Sequence, residues 1–321
     1  MKARLLTTAT LLGVLSGVLP AKAADSTLLN LVMPDAKVLA GVNVDQAKTT
    51  PMGLYVLAQI QAQNNAQLQE LITLTGFDPT RDVHEVLVAS NGGQQQQSGL
   101  LLARGNFNPS QIAAAATQKG GVTQTYNGVT ILTGPKGNGG IAFLSNTIAI
   151  GGDLANVKAA IDRQNAATVL PADVATRVNQ WSTTEDAWAV TTVPPSSLHP
   201  GATLPTIPGV GTQPGQNNAF TGIQYAGGGV KFGDNVVVTG QAQAATAQDA
   251  MQIGDTLKLL ASLAQLQSNA DPNVLALAQS LNVTTNGAQV TATVSLPQAQ
   301  LVALLSQPHA KPAQRPMHRK Q

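Results

Sequence analysis

Between Gly76 and Arg163 nearly every junction of the sequence carries a turn or cap residue, and that punctuation leaves few folds open. The stretch opens on Gly76-Phe77-Asp78-Pro79-Thr80-Arg81-Asp82-Val83, a helix stop followed by a turn, and closes on Gly151-Gly152-Asp153-Leu154-Ala155-Asn156-Val157. Residues 85–90 and 99–104 read as strands. They are joined through Asn91-Gly92-Gly93 and four glutamines, Gln94 to Gln97, a composition suited to a solvated loop. Asn108-Pro109 caps and starts a helix that carries Ile112, Ala113 and Ala116. Asn127-Gly128, set within 123–132, supplies the two positive φ angles that a type I′ hairpin turn demands. A second strand pair, 141–144 and 148–150, turns about Asn146. Asp153 then caps a helix whose Leu154, Val157 and Ile161 recur at spacings of three and four.

The flanking sequence repeats this order more weakly. Upstream, Val38, Ala40, Val42 and Val44 alternate on what reads as the inward face of a strand, and Thr50-Pro51 starts a helical pattern that Gly76 stops. Downstream come a helix over 171–181, a strand over 187–193, and a segment, 194–216, with six prolines, four glycines and no hydrophobic period. Such a segment within a domain is expected to be functional, and it is read here as a flap beside a ligand or partner surface. A hairpin over 221–231 and 236–244 follows, then the longest helix, 246–267, with Ala250, Ile253, Leu257, Leu260 and Ala264 on one stripe. Asp271-Pro272 starts another helix, Asn286-Gly287 turns a second hairpin, and Pro297 begins the last helix. Adjacent hairpins favour antiparallel sheets with segregated helices, hence an α+β class. The expectation is two similar halves, 24–168 and 169–305, each an antiparallel sheet with helices packed on one face.

The segments GFDPTRDVHEVLVAS, GLLLARGNFN, YNGVTIL and AFLSNTIAIGGDLANVKAAIDR together resemble secreted soil-bacterial proteins built on a domain of unknown function. The likeness is clearest over 32–163 and weaker over the second half, mostly in VTATVSLPQAQL. It implies export and an α+β module, and it carries no site residue across.

The two ends bear on compartment. Lys2 and Arg4, an apolar run over 5–19, Pro20 and Ala21-Lys22-Ala23 make a secretory leader, 1–23, with cleavage expected before Ala24. The destination is then the periplasm or the exterior, where a chain with no cysteine rests on packing alone. Residues 306–321 form a Pro-rich basic tail whose Lys311, Arg315, Arg319 and Lys320 could touch an anionic surface weakly. Without leader and tail, eleven basic residues meet 16 acidic ones, a net −5 that argues against nucleic acid. Aromatic residues are 3% of the chain, too few to line a sugar-binding groove.

Residues that could carry chemistry are sparse. The four histidines, His84, His199, His309 and His318, fall in no metal-ligand spacing, so no metal site or cofactor is expected. Neither a Gly-x-Ser-x-Gly elbow nor a phosphate loop occurs, and Gly227-Gly228-Gly229 reads as a strand passing close to a neighbour. The best acidic group is Asp78, Asp82 and Glu85, beside Arg81 and His84. A hydrolase would use two of these carboxylates in unlike environments. As turn and corner residues they need no chemistry at all. The leading expectation is therefore a non-enzymatic binding or envelope-associated protein of unknown partner. The alternatives are that hydrolase, or an envelope scaffold held by its tail.

Overall fold

Twelve strands join in one continuous antiparallel sheet in the computed structural model, which describes residues 24–63, 65–91, 99–134, 137, 139–164, 166, 170–194, 220, 222–266 and 272–306. The strands are β1 (Val38–Asn43), β2 (Val83–Ser90), β3 (Gly99–Gly105), β4 (Val122–Tyr126), β5 (Val129–Thr133), β6 (Gly139–Phe143), β7 (Ile148–Asp153), β8 (Ala187–Thr191), β9 (Ile223–Lys231), β10 (Asn235–Ala244), β11 (Asn282–Asn286) and β12 (Gln289–Pro297). Their order across the sheet is β11-β12-β10-β9-β8-β1-β2-β3-β7-β6-β5-β4. The architecture is α+β. In place of two sheets there is one, because β1 and β8 pair directly, Leu39 opposite Val190 and Gly41 opposite Trp188. Outward from that seam each half lays down a hairpin, β2-β3 or β9-β10, and ends on a second hairpin, β5-β4 or β12-β11. The first half alone inserts β7 and β6 between them.

The turn chemistry explains why the chain reverses where it does. Asn127 and Gly128 sit at φ 46° and 80°, so β4 and β5 close on a two-residue turn. Asn108 and Asp153 cap α6 (Pro109–Gln118) and α7 (Leu154–Arg163), accepting from the backbone N–H of Gln111 and Asn156. Gly76 takes φ 67° just past α4 (Asn65–Thr75), which follows α3 (Pro51–Gln63). The remaining early elements are three short helices: α1 (Ser26–Leu29), α2 (Val44–Lys48) and α5 (Pro79–Asp82). Later come α8 (Ala172–Thr184), α9 (Ala247–Leu266), α10 (Pro272–Ser280) and α11 (Gln298–Ser306).

The main core lies on one face of the sheet. Leu39, Leu87, Leu100, Leu102, Ile150 and Val190 point there, covered by Leu28 of α1, Val157 and Ile161 of α7, and Val178 and Trp181 of α8. Each such aliphatic contributes about 1.5–3 kcal/mol when removed from water. The helices divide between the two faces. Alternation along β10 and β12 puts Ala244 and Val290 on the opposite side, where Ala250 and Ile253 of α9 cover them.

Strand β1 departs from the alternation expected of it. Leu39 and Gly41 face the core, while Val42 on the other side is 37% exposed. The cause is Trp188 on the neighbouring strand: a Cβ at residue 41 would lie 2.7 Å from its ring, so only glycine lets the indole lie flat on β1. Val44 leaves the strand and opens α2, capped by the Asn43 side chain. The lead before β1 holds α1, whose Leu28, with Leu31 and Val32 just after it, is among the most buried residues. In β9 the close neighbour of Gly227 is a side chain, with Trp181 Nε1 2.6 Å from where a Cβ would stand. The leader, the four glutamines, residues 195–216 and the tail from 307 onward lie outside the described residues.

Candidate functional site

The fold keeps two of the expected acidic group, Asp78 and Asp82, together in one turn and engages Glu85 elsewhere. Asp78 caps α5, its Oδ1 accepting from the Thr80 N–H at 2.9 Å and from the Thr80 hydroxyl at 2.7 Å. Asp82 is gripped by Arg81 through two hydrogen bonds of 2.7 Å and accepts the Asp78 N–H at 2.9 Å. Those Arg81 bonds hold its carboxyl below the ordinary value. His84 sits at a break in the β2–β3 register, between Val83 opposite Gly105 and Glu85 opposite Arg104, and the two side chains have different partners. The histidine Nδ1 meets Asp45 Oδ1 at 2.7 Å, while Glu85 lies on the core side. Asp78 and Asp82 thus share the α5 turn, and Glu85 is bonded elsewhere, to the Asp25 N–H. Among the described residues, no three His, Asp or Glu side chains gather as a metal site.

A polar cleft of about 550 Å³ lies at one end of the main core, floored by β3 and β7 and walled by α1 and the end of α7, and two of its lining residues, Asp25 and Arg104, are held from behind by Glu85. Its Oε1 accepts the Asp25 N–H at 3.0 Å. Arg104 Nε stands 3.4 Å from Asp25 and 3.5 Å from the other Glu85 oxygen. Burial is the largest influence on the Glu85 carboxyl and raises it above the usual range, partly offset by the Asp25 N–H and Arg104. Arg163 donates from Nε and a terminal nitrogen to the Leu31 carbonyl, at 3.1 and 2.8 Å. Each charge in this cleft already has a partner within the chain, the pattern of a structural tie between α1, α7 and the sheet.

The other candidate is the sheet face turned away from the main core. Register places Ile141, Gly151, Leu101, Val88 and Ala40 in one row across β6, β7, β3, β2 and β1. The row continues through Ala189, Gly228, Gly240 and Ala292 on β8, β9, β10 and β12. A second row beside it runs from Phe143 through Ala103, Val42 and Ala187 to Val238 and Val294. Nine strands at ~4.8 Å spacing make these rows roughly 38 Å long. Neither row contains a polar side chain.

This face is covered at its ends and open in its middle. Toward β4 and β5, α6 packs over it and Leu132 is buried; Phe107 stacks on Phe143 at 5.5 Å, and Phe77 on Phe107. Toward β10 and β12, the paired Val236 and Leu296 are buried, and α11, which follows β12 directly, contacts both strands. Helices α3 and α4 connect the two ends, α3 packing on α2 and α11, α4 on α6. Between them Val42, Val88, Leu101, Ile141 and Val238 remain 37–51% exposed. An open hollow of about 410 Å³ lies on β8, β9 and β10, against Ala187, Ala189, Ala226, Gly228, Val230 and Val238.

Sequence reasoning assigned none of these residues to a site, although a signal was present. Val86-Leu87-Val88-Ala89 and Leu100-Leu101-Leu102-Ala103 are apolar at consecutive positions, so both faces of β2 and β3 shun water.

No protein-family model matches the sequence, and no curated protein matches it. Among solved structures the fold is similar to TP0453. Its crystal form III gives a TM-score of 0.54 at 10% identity, covering 87% of this chain and 97% of that one. Crystal form IV gives 0.51 at 10% identity, covering 87% and 96%. At that identity the likeness is one of fold. Among the described residues, no helix is long and apolar enough to cross a membrane.

Proposed function

We propose that this chain is a non-enzymatic binding protein that works outside the cytoplasm, and that its binding surface is the open face of the sheet. The leader-like start of the sequence supports export. One observation carries the binding reading: two cross-strand rows without a polar side chain, five of whose large aliphatics stay 37–51% exposed. These side chains lie on β6, β3, β2, β1 and β10 of one sheet face, and contiguous exposed apolar surface marks sites of association. An enzymatic reading has less support, because His84 pairs with Asp45 while Glu85 accepts the Asp25 N–H, and the Asp82 carboxylate is tied to Arg81.

The test is binding of anilinonaphthalene sulfonate, a dye that fluoresces in apolar surroundings. The purified protein should enhance its emission, and Leu101→Glu with Val88→Glu should remove most of the enhancement while circular dichroism stays unchanged. Equal enhancement in the variant, or none in the wild type, defeats the proposal.

A further inference from the structure

We infer that the chain associates with a second copy of itself through β4, the two strands running antiparallel about a two-fold axis at Gln124. This goes beyond the binding reading above and is independent of it.

Strand β4 ends the sheet, and among the described residues nothing pairs with its outer side. The register shows which backbone groups are left over. Tyr126 and Val129 flank the two-residue turn and exchange both of their hydrogen bonds, so Gln124 and Val122 turn inward to β5 in the same way. The N–H and C=O groups of Thr123 and Thr125 therefore point out of the sheet. Such an edge is a template for another strand, and proteins ordinarily blunt it with a charge, a proline or a bulge. Val122-Thr123-Gln124-Thr125-Tyr126 has none of these: its pairing with β5 is unbroken, and Val122 is 57% exposed.

What this edge fits is itself. The order Val-Thr-Gln-Thr-Tyr is nearly a palindrome about Gln124. Antiparallel pairing centred there sets Thr123 against Thr125 of the second copy, and the reverse, so that each outward N–H meets an outward C=O. Between them Gln124 meets its own copy in a non-hydrogen-bonded pair, where side chains come closest. Val122 meets Tyr126 of the second copy, a β-branched residue beside an aromatic, and the threonine pairs are favourable as well. No like charges oppose one another, since β4 carries none. The tyrosine is held in place, its hydroxyl donating to Asp162 Oδ2 at 3.0 Å and Lys158 lying over its ring. The far edge of the sheet is a poorer match. Strand β11 begins and ends on Asn282 and Asn286, a residue type depleted in strands, and its self-pairing would set Val283 against Thr285.

Light scattering of the full chain at concentrations up to ~0.5 mM reads the association. A dimer is expected, its fraction rising with concentration. Thr125→Pro removes an outward N–H and spares the β5 ladder, so it should weaken the dimer at least tenfold with the melting midpoint held. Gln124→Lys and Gln124→Glu keep every backbone group. Each alone sets like charges on the axis, and an equimolar mixture of the two should associate at least fivefold more tightly than either variant alone. A chain that stays monomeric, a dimer that Thr125→Pro leaves unchanged, or a mixture no tighter than its parts overturns the inference. Oligomers beyond two overturn it as well, because β4 pairing with β11 is head-to-tail and does not close. The dye test of Leu101→Glu with Val88→Glu leaves β4 unaltered, so failure of the binding reading and failure of this one are read separately.

Discussion

Leu87 and Val88 are neighbours on β2 that meet opposite environments, and their substitution separates the two faces of the sheet. Leu87 is 1% exposed among Leu39, Leu102 and Trp188, and Val88 is 41% exposed on the open side. Leu87→Ala leaves a cavity in a filled core and should cost about 3–4 kcal/mol, within the range measured for such truncations. Val88→Thr keeps shape and strand preference and swaps a methyl for a hydroxyl. A hydroxyl buried without a partner costs about 1–3 kcal/mol, whereas a hydrated one costs almost nothing. The exposure of Val88 therefore predicts a loss of about 0.5 kcal/mol or less. Urea unfolding followed by the fluorescence of the two tryptophans, both buried, measures each change directly. A Val88→Thr loss above about 2 kcal/mol would mean that the hydroxyl is buried without a partner, and the argument for an open face would fail.

Other consequences concern the supports of the fold. Gly41→Ala drives a methyl into the Trp188 ring and should cost about 1–3 kcal/mol; Trp188→Leu in the same chain should recover part of it, as a double-mutant cycle would show. Asp186 is 1% exposed, receiving Lys231 Nζ at 2.8 Å and the Phe232 N–H at 2.7 Å. Since Lys231 keeps 38% exposure, Asp186→Ala should cost about 2–3 kcal/mol by thermal melting, below the full price of breaking a buried pair. Two carboxylates should pull stability in opposite directions with pH. Asp82, held low by Arg81, stabilises the fold above its unfolded-state range, and that contribution fades as pH falls through its lowered value. Glu85, raised by burial, favours the fold while protonated and loses that contribution as pH rises through its raised value. Urea titrations between pH 3 and pH 7 of Asp82→Asn and Glu85→Gln should accordingly flatten the acid limb and the decline above it, respectively.

Local structure was legible wherever one residue decides it. Asn127-Gly128, Asn108-Pro109 and Asp153 announce a turn and two helix starts, because each acts within a few residues of itself. The face assignment of β1 was not legible, since the ring that selects Gly41 belongs to Trp188, almost 150 residues away. Helix α1 was missed for a related reason: four residues carry no period, and its position is set by burial of Leu28 against strands that follow it. The joining of both halves into one sheet depends on the β1–β8 pairing, which leaves no mark on either strand alone. The open face is legible only through register. Its rows draw one residue from each of nine strands, and only the doubly apolar runs in β2 and β3 hinted that the second side of the sheet would be dry.

Thiol labelling of adjacent positions on β3 tests the open face most directly, in a chain with no cysteine of its own. Leu101 is 48% exposed and Leu102 is fully buried. Leu101→Cys should be alkylated in the folded protein within about tenfold of its rate in urea, and Leu102→Cys should react only as the protein opens. Equal protection of the two cysteines would show both sides of the sheet packed, and the proposed binding surface would not exist.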